Sequence, residues 1–399
     1  MADPASQAVP PVAASPTPAE EATPGPAAGP DQHRVLQVMS VGCQTLNGVD
    51  PQGLGLTYWF DAADEGEPYP VTVRFTGQHP DALEDERSTE RTFDVQTTVD
   101  RVIPGSGRIA ITARVLDLAP GEWRVTARPI SGLSSQGSGA LLPPSQETAL
   151  PRGTATGTTT FAPVARVRAP GVRLGAWPAL VSVGAVLALL TQDLLARHHG
   201  LPTFALLVMS FVASVLGIAG AKLYYLAGHR KETDSVLFSG MSIQGFVLVA
   251  VATILLGSLL FDIPIGRMLD VTAPGLLFGM SIGRLGCFFG GCCAGIPTAS
   301  RWGVWSSDRT VGVRRIPVQL IESASSGTVA VAALFAVLLT HTAIGGLIFV
   351  AAIAANTFMR QLLFPMRGIP RATAHGRTVT MAVAALVIAA DLAIIIGGQ

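Results

Sequence analysis

Arg284 stands inside an apolar run, flanked by Gly283 and Gly286, and the run leaves through Gly290-Gly291-Cys292-Cys293. A charged side chain at membrane depth costs roughly 2.5–3.5 kcal/mol on insertion scales, so it marks a pathway or a site. An arginine-rich loop with Arg301, Arg309, Arg314 and Arg315 follows, and Pro317-Val318-Gln319-Leu320-Ile321-Glu322 opens the next apolar run. Arg360 and Arg367 close a later one. Guanidinium groups are planar, permanently charged and suited to bidentate contact with phosphate. Several of them at one interface, beside glycines that let a headgroup approach the backbone, suit an anionic lipid. The same arginines could instead snorkel, or pair with Glu322, and set topology alone. The residue types leave both readings open.

These residues need membrane helices to position them. The chain of 399 residues is 49% hydrophobic and 14% charged, too apolar for an ordinary soluble enzyme. The apolarity lies almost wholly after residue 170. Seven runs are long enough to span a bilayer, near 174–195, 202–226, 236–260, 271–292, 317–340, 343–364 and 377–397. Backbone groups in lipid must be satisfied internally, so helices are expected, with the fourth and fifth runs the most prone to tilt or break. The formal net charge is zero, which argues against a polyanionic partner, and nucleic acid is not expected.

The first part of the chain is of a different kind. Residues 1–32 are Pro/Ala-rich and are expected to form a flexible tail. They lack the positive and apolar regions of a signal peptide. Val35–Cys43 superficially resembles a lipoprotein cleavage site, but it alternates like a strand. Residues 33–130 carry β-branched and aromatic segments near 34–41, 54–61, 70–77, 91–101, 108–116 and 122–129. Turn signals lie at Asn47-Gly48, Pro104-Gly105 and Pro120-Gly121. They predict a small immunoglobulin- or fibronectin-like β-sandwich serving recognition or positioning. His33 and His79 are isolated and read as surface residues. Residues 131–170 form a Gly/Ser/Thr/Pro linker with room for one strand near 157–164. Residues 171–399 complete the fold class as a seven-helix, all-α transmembrane domain.

Four segments, in order, carry a family resemblance. Gly283–Phe288 followed by Pro317–Ser323 matches the pattern G-R-[IL]-G-x-F … P-x-Q-L-x-E-S of the prolipoprotein diacylglyceryl transferases. Gly240–Gly245 is similar to that family's G-M-S-F-H-G-G segment, Gly220–Tyr224 to G-A-R-L-x-Y, and Arg360–Gly368 to R-F-x-x-E-F-x-R-G. The resemblance covers roughly 172–370. It implies transfer of diacylglyceryl from phosphatidylglycerol to the lipobox cysteine thiol of a preprolipoprotein, in a bacterial cytoplasmic (inner) membrane, with no metal or other cofactor. It further implies Arg284, Arg360, Glu322 and Gln244 as catalytic positions, and Gly283, Gly286, Gln319, Arg315 and Arg367 as substrate-binding ones.

The departures are specific. Gln244 replaces the family's histidine and cannot serve as a general base at neutral pH. Cys287 replaces an asparagine, Ile316 a histidine and Phe364 an acidic residue. Trp177, in the region of a family tyrosine, reads as an interfacial anchor. Cys287, Cys292 and Cys293 admit three readings: helix packing, thiol or disulfide chemistry, and a metal site. The alternative to catalysis is a repurposed relative that binds anionic lipid or lipoprotein and docks partners through its β-domain. Orientation is also divided. Positive charges gather on the N-terminal face, which by itself predicts a cytoplasmic N-terminus, whereas the resemblance places that face outside.

Overall fold

The computed structural model describes residues 34–39, 49–80, 91–130, 150–228, 242–340, 344–368 and 375–397. The expected tail, Cys43, His33, the Asn47-Gly48 turn, and Gly240 and Met241 of the third-run motif lie outside them, as do residues 131–149 of the stretch read as linker.

Alternation of side chains builds the first layer. On β2 (Gln52–Asp61), Leu54, Leu56 and Tyr58 point inward; so do Val71, Val73 and Phe75 on β3 (Tyr69–Gln78). Ile109 and Ile111 on β5 (Arg108–Leu116) and Trp123 and Val125 on β6 (Glu122–Ile130) face them across the same apolar core. A period of two with one buried face is the signature of two packed antiparallel sheets. β4 (Thr92–Val102) and β7 (Gly153–Thr158) flank β3 and β6, giving the order β4-β3-β6-β7. β1 (Leu36–Met39) and the two-residue β8 (Thr160–Phe161) both pair with β2. The strand expected near 157–164 therefore begins earlier, at Gly153, and a short helix α1 (Ala162–Val167) follows it.

The second sheet takes its remaining strands from far along the chain. Its order is β1-β2-β5-β10-β9, where β9 (Val304–Ser307) and β10 (Val311–Arg315) are a hairpin lying within the arginine-rich loop. Val311 and Gly312 of β10 pair antiparallel with Ile111 and Ala110 of β5. Val313 is buried in the sandwich core. Trp305 stacks on Trp59 with ring centroids 5.8 Å apart and donates its Nε1–H to the Arg108 carbonyl at 2.9 Å. The loop read as a polar connection is thus part of the β-structure, and Val35–Gln399 forms one compact unit.

Beyond Arg173 the described residues are mostly helical, apart from the β9–β10 hairpin and the segments joining it to its neighbouring helices. Among the described residues, six helices are long and apolar enough to cross a membrane: α2 (Ala176–His198), α3 (Thr203–Gly228), α5 (Ile265–Phe289), α6 (Val318–Leu339), α7 (Leu347–Leu363, continued by a 3-10 turn to Met366) and α8 (Gly376–Gly397). An apolar helix of 18 residues, α4 (Ile243–Leu260), lies between α3 and α5. Large apolar side chains such as Phe204, Leu259 and Leu386 are more than 70% exposed, as lipid-facing positions would be. The fourth run is one continuous helix beginning at Ile265, six residues earlier than the composition suggested. Asp270 had masked that start. It is buried, accepting the backbone N–H groups of Gly346 at 2.7 Å and Phe349 at 3.0 Å, and so caps α7. Helix α5 also runs through Pro274 without breaking. Glycines let α2 and α5 cross closely: a Cβ on Gly275 would lie 2.4 Å from the Ala188 carbonyl oxygen, and one on Gly184 2.8 Å from that of Gly279.

Candidate functional site

The α5–α6 contact positions the site. Ser281 Oγ donates to the Ser323 carbonyl at 2.8 Å, and Ser323 Oγ returns a bond to the Ser281 carbonyl at 2.8 Å. One turn farther along α6, Ser326 Oγ donates to Asn356 Oδ1 of α7 at 2.8 Å. These polar pairs fix three helices in register where the charged residues emerge.

Glu322, on α6, is the centre of the cluster and only 1% exposed. Its Oε2 lies 3.2 Å from Arg284 Nε on α5, and its Oε1 accepts a hydrogen bond from Arg367, just past the end of α7. The Arg284 contact is an ion pair without hydrogen-bond geometry, and Arg367 Nε is buried without an acceptor among the described residues. Arg360, in the last turn of α7, feels the charges of Arg284, Arg367 and Glu322. It has no carboxylate at ion-pair distance among the described residues. One carboxylate therefore braces two arginines, and a third arginine beside them has no ion-pair partner of its own among the described residues. Such a cluster favours an anion.

The chain leaving α5 wraps this cluster. Gly291 (φ 65°) and Cys293 (φ 54°) adopt left-handed backbone, which turns the segment back on itself. Gln319, fully buried, donates to the Cys292 carbonyl at 3.0 Å. The Ile296 N–H donates to the Met366 carbonyl at 3.0 Å, and Gly295 bridges to Arg367. The Sγ atoms of Cys287, Cys292 and Cys293 consequently lie within 4.8 Å of one another.

The hairpin closes the same edge. Arg309 Nε donates to the Gly290 carbonyl at 2.8 Å, and Arg114 on β5 donates to the Arg309 carbonyl. Asp308 Oδ1 accepts the N–H groups of Thr310 and Val311 at 2.9 and 2.7 Å, shaping the turn. Burial pushes the Arg114 guanidinium below its ordinary value, and the Arg309 charge adds to that, while Asp308 opposes both.

Several sequence expectations change here. Arg284, Arg360, Arg367, Glu322 and Gln319 come together. Arg315 does not join them as a ligand-facing group: it is buried and donates to the carbonyls of Gly295 (3.0 Å) and Val311 (3.1 Å) and to Asp308 Oδ2 (2.5 Å). Burial lowers its pKa, with Asp308 acting in the opposite sense. Gly286 packs against α2, where an added Cβ would meet the Trp177 carbonyl oxygen at 3.3 Å, so it serves helix approach and not a headgroup. Gly283 has more room; its nearest neighbour would be Val181 Cγ2 at 4.0 Å. Gln244, in the first turn of α4, is exposed and accepts from Ser242 Oγ at 3.1 Å. His79 is buried against Trp123 and is not a surface residue. Sequence reasoning missed Ser281, Ser326 and Asn356, although polar residues inside apolar runs were a usable signal; Ser323 entered only as the last residue of a motif.

Comparison with known proteins bears on the family of the chain. A family model for prolipoprotein diacylglyceryl transferase matches residues 166–397. A phosphatidylglycerol–prolipoprotein diacylglyceryl transferase of Clostridium tetani is 27% identical over 140 residues, 34% of this chain and 56% of that protein. That of Synechococcus elongatus is 28% identical over 151 residues, 36% of this chain and 50% of its own length. That of Rhodococcus jostii is 28% identical over 169 residues, 40% and 47% respectively. The chain spans about half the length of the curated relatives it matches. With the matched region holding Arg284, Glu322 and Arg360 alike, the chain belongs to the prolipoprotein diacylglyceryl transferase family.

Proposed function

We propose that the protein transfers diacylglyceryl from phosphatidylglycerol to the cysteine thiol of a lipobox-bearing preprolipoprotein, in the cytoplasmic membrane of a bacterium. The observation that carries this reading is the triad Arg284–Glu322–Arg367, with Arg360 beside it and no carboxylate at ion-pair distance from Arg360 among the described residues. The lipid phosphate lies against Arg284 and Arg360, and Glu322 holds Arg284 and Arg367 in place. The substrate sulfur attacks the glyceryl carbon bonded to the phosphate oxygen. A C–S bond forms, the C–O bond breaks, and the electron pair departs on glycerol phosphate, which also carries away the thiol proton. The arginines stabilise the charge that develops on the leaving group. This step does not require a histidine, in keeping with Gln244, Ile316 and Phe364 at the departures.

The reading includes seven membrane crossings. β10 pairs with β5, so residues before α2 and residues after α5 share one face of the membrane. An even number of crossings must separate them, and α2, α3 and α5 alone would make it odd. Helix α4 is therefore the missing crossing; its 18 residues reach about 27 Å at 1.5 Å each, close to the bilayer core. The β-sandwich, immunoglobulin-like in layout, lies on the arginine face, outside the cytoplasm. Arg309 and Arg315 are engaged within the site's own framework, which weakens the charge count that favoured the opposite orientation.

The test is transfer by the purified protein in phosphatidylglycerol vesicles to a synthetic lipobox peptide. Lipidated peptide and released glycerol phosphate in equal amounts are expected. No lipidated peptide, with a known family member active in parallel, would overturn the proposal.

A further inference from the structure

Three thiols converge at the C-terminal end of α5, where the sequence alone left packing, redox and metal readings open. Cys287 lies on the helix; Cys292 and Cys293 come back to it through the left-handed backbone at Gly291 and Cys293. A cysteine at positive φ is uncommon and strained. Simple packing gives no reason to hold a second and third sulfur against the first in that way. The loop is secured there by Gln319, and the Cys292 N–H bonds the Cys287 carbonyl at 3.0 Å. All three thiols are free and half-buried.

We propose that Cys287, Cys292 and Cys293 form a binding site for a single thiophilic monovalent cation, Cu(I), in trigonal three-sulfur coordination. Sulfurs no more than 4.8 Å apart can all lie within about 2.8 Å of a common centre, so contraction by roughly half an ångström reaches ordinary metal–thiolate distances. Soft thiolates select Cu(I). Zinc favours four ligands, and the described residues bring no histidine or carboxylate into this group. Charge points the same way. Three thiolates and one monovalent cation carry two negative charges, whereas a divalent ion would leave one. The neighbouring arginines, Arg284, Arg360 and Arg367, share one carboxylate, Glu322, which leaves two positive charges to be balanced. Binding displaces the thiol protons to solvent and involves no electron transfer. Because the doubly negative copper–trithiolate complex would neutralise the same arginines that face an anion, loading with Cu(I) also weakens anionic lipid binding. The site itself does not depend on the transfer reaction.

The experiment uses full-length protein in detergent, reduced and kept anaerobic, in a Cys43→Ser background so that the three clustered thiols are the only cysteines. Cu(I) is titrated against a chromogenic Cu(I) chelator, and X-ray absorption is recorded on the loaded sample. The expected result is one equivalent bound, three Cu–S distances, and loss of accessible thiols to a labelling reagent. Each single Cys→Ser variant should weaken binding at least tenfold. Melting temperatures of metal-free variants establish that they fold, and absorption of the parent protein tests coordination without any variant. No binding in competition with the chelator, a coordination shell without three sulfurs, or displacement of Cu(I) by equimolar Zn(II) would overturn the assignment.

Discussion

Replacing Glu322 with glutamine separates stability from anion binding, because the two should move in opposite directions. The carboxylate is buried, pairs with Arg284 at 3.2 Å and accepts a hydrogen bond from Arg367. Glutamine keeps the shape and can still accept from Arg367, but as a neutral acceptor. Charged hydrogen bonds contribute about 1.5–3 kcal/mol and neutral ones about 0.5–1.5, so that change loses roughly 1–1.5 kcal/mol. The side chains of Arg284 and Glu322 are 16% and 2% exposed, so this is a buried pair, and removing one partner of such a pair costs about 3–5 kcal/mol in all. Spread over the compact unit Val35–Gln399, that loss lowers the melting temperature in detergent by roughly 4–7 °C. Lipid binding should respond the other way. A phosphate about 6 Å from the removed charge gains about 0.7–2.8 kcal/mol as the effective dielectric falls from 80 to 20, or roughly threefold to a hundredfold in affinity. Thermal unfolding and phosphatidylglycerol titration by native mass spectrometry read the two effects. A variant that loses lipid affinity along with stability would refute the idea that Glu322 braces an anion site.

Other perturbations follow from the same framework. Arg284→Ala should reduce transfer by about a hundredfold or more, the scale for losing one charge-stabilising donor, whereas Arg267→Ala near the opposite end of α5 should stay within a few-fold; equal losses would sink the site assignment. Trp59→Ala removes the stack on Trp305 and the platform under Arg108 at 5.2 Å. A cost of about 1–2 kcal/mol should speed amide exchange of residues 304–315 roughly 5- to 30-fold, and unchanged exchange would contradict the pairing of hairpin and sandwich. Asp270→Ala uncaps α7 and should cost about 1–2 kcal/mol in thermal unfolding. Gly275→Val, which forces a Cβ against the Ala188 carbonyl, should destabilise the α2–α5 crossing by about 1–3 kcal/mol or rearrange it.

Local patterns were readable and long-range pairings were not. Leu54–Phe60 alternates plainly enough to place β2, and a single arginine in an apolar run was enough to point to the charged cluster around Glu322. Glu322 and Gln319 were legible from their place at the start of a run. The β5–β10 pairing was not, because Ile111 and Val311 are separated by the whole first half of the membrane region, and the hairpin's apolar residues are interrupted by charges. Asp270 disguised a helix start as a loop, since burial of a carboxylate becomes intelligible only when the amides it caps are known. Arg315 and Gly286 fit the site's residue types but serve its framework, a distinction set by neighbours on other elements. The cysteines could not be interpreted without the backbone turn that gathers them.

The central claim is that the arginine framework performs transfer although Gln244, Ile316 and Phe364 stand at the departures from the family's pattern. Rescue of a bacterial strain depleted of its own prolipoprotein diacylglyceryl transferase tests it most directly. The account predicts restored growth and lipidated lipoproteins with the intact chain, and neither with Arg284→Ala expressed to the same level in the membrane. Failure of the intact, membrane-inserted chain to restore lipidation, or equal rescue by Arg284→Ala, would contradict it.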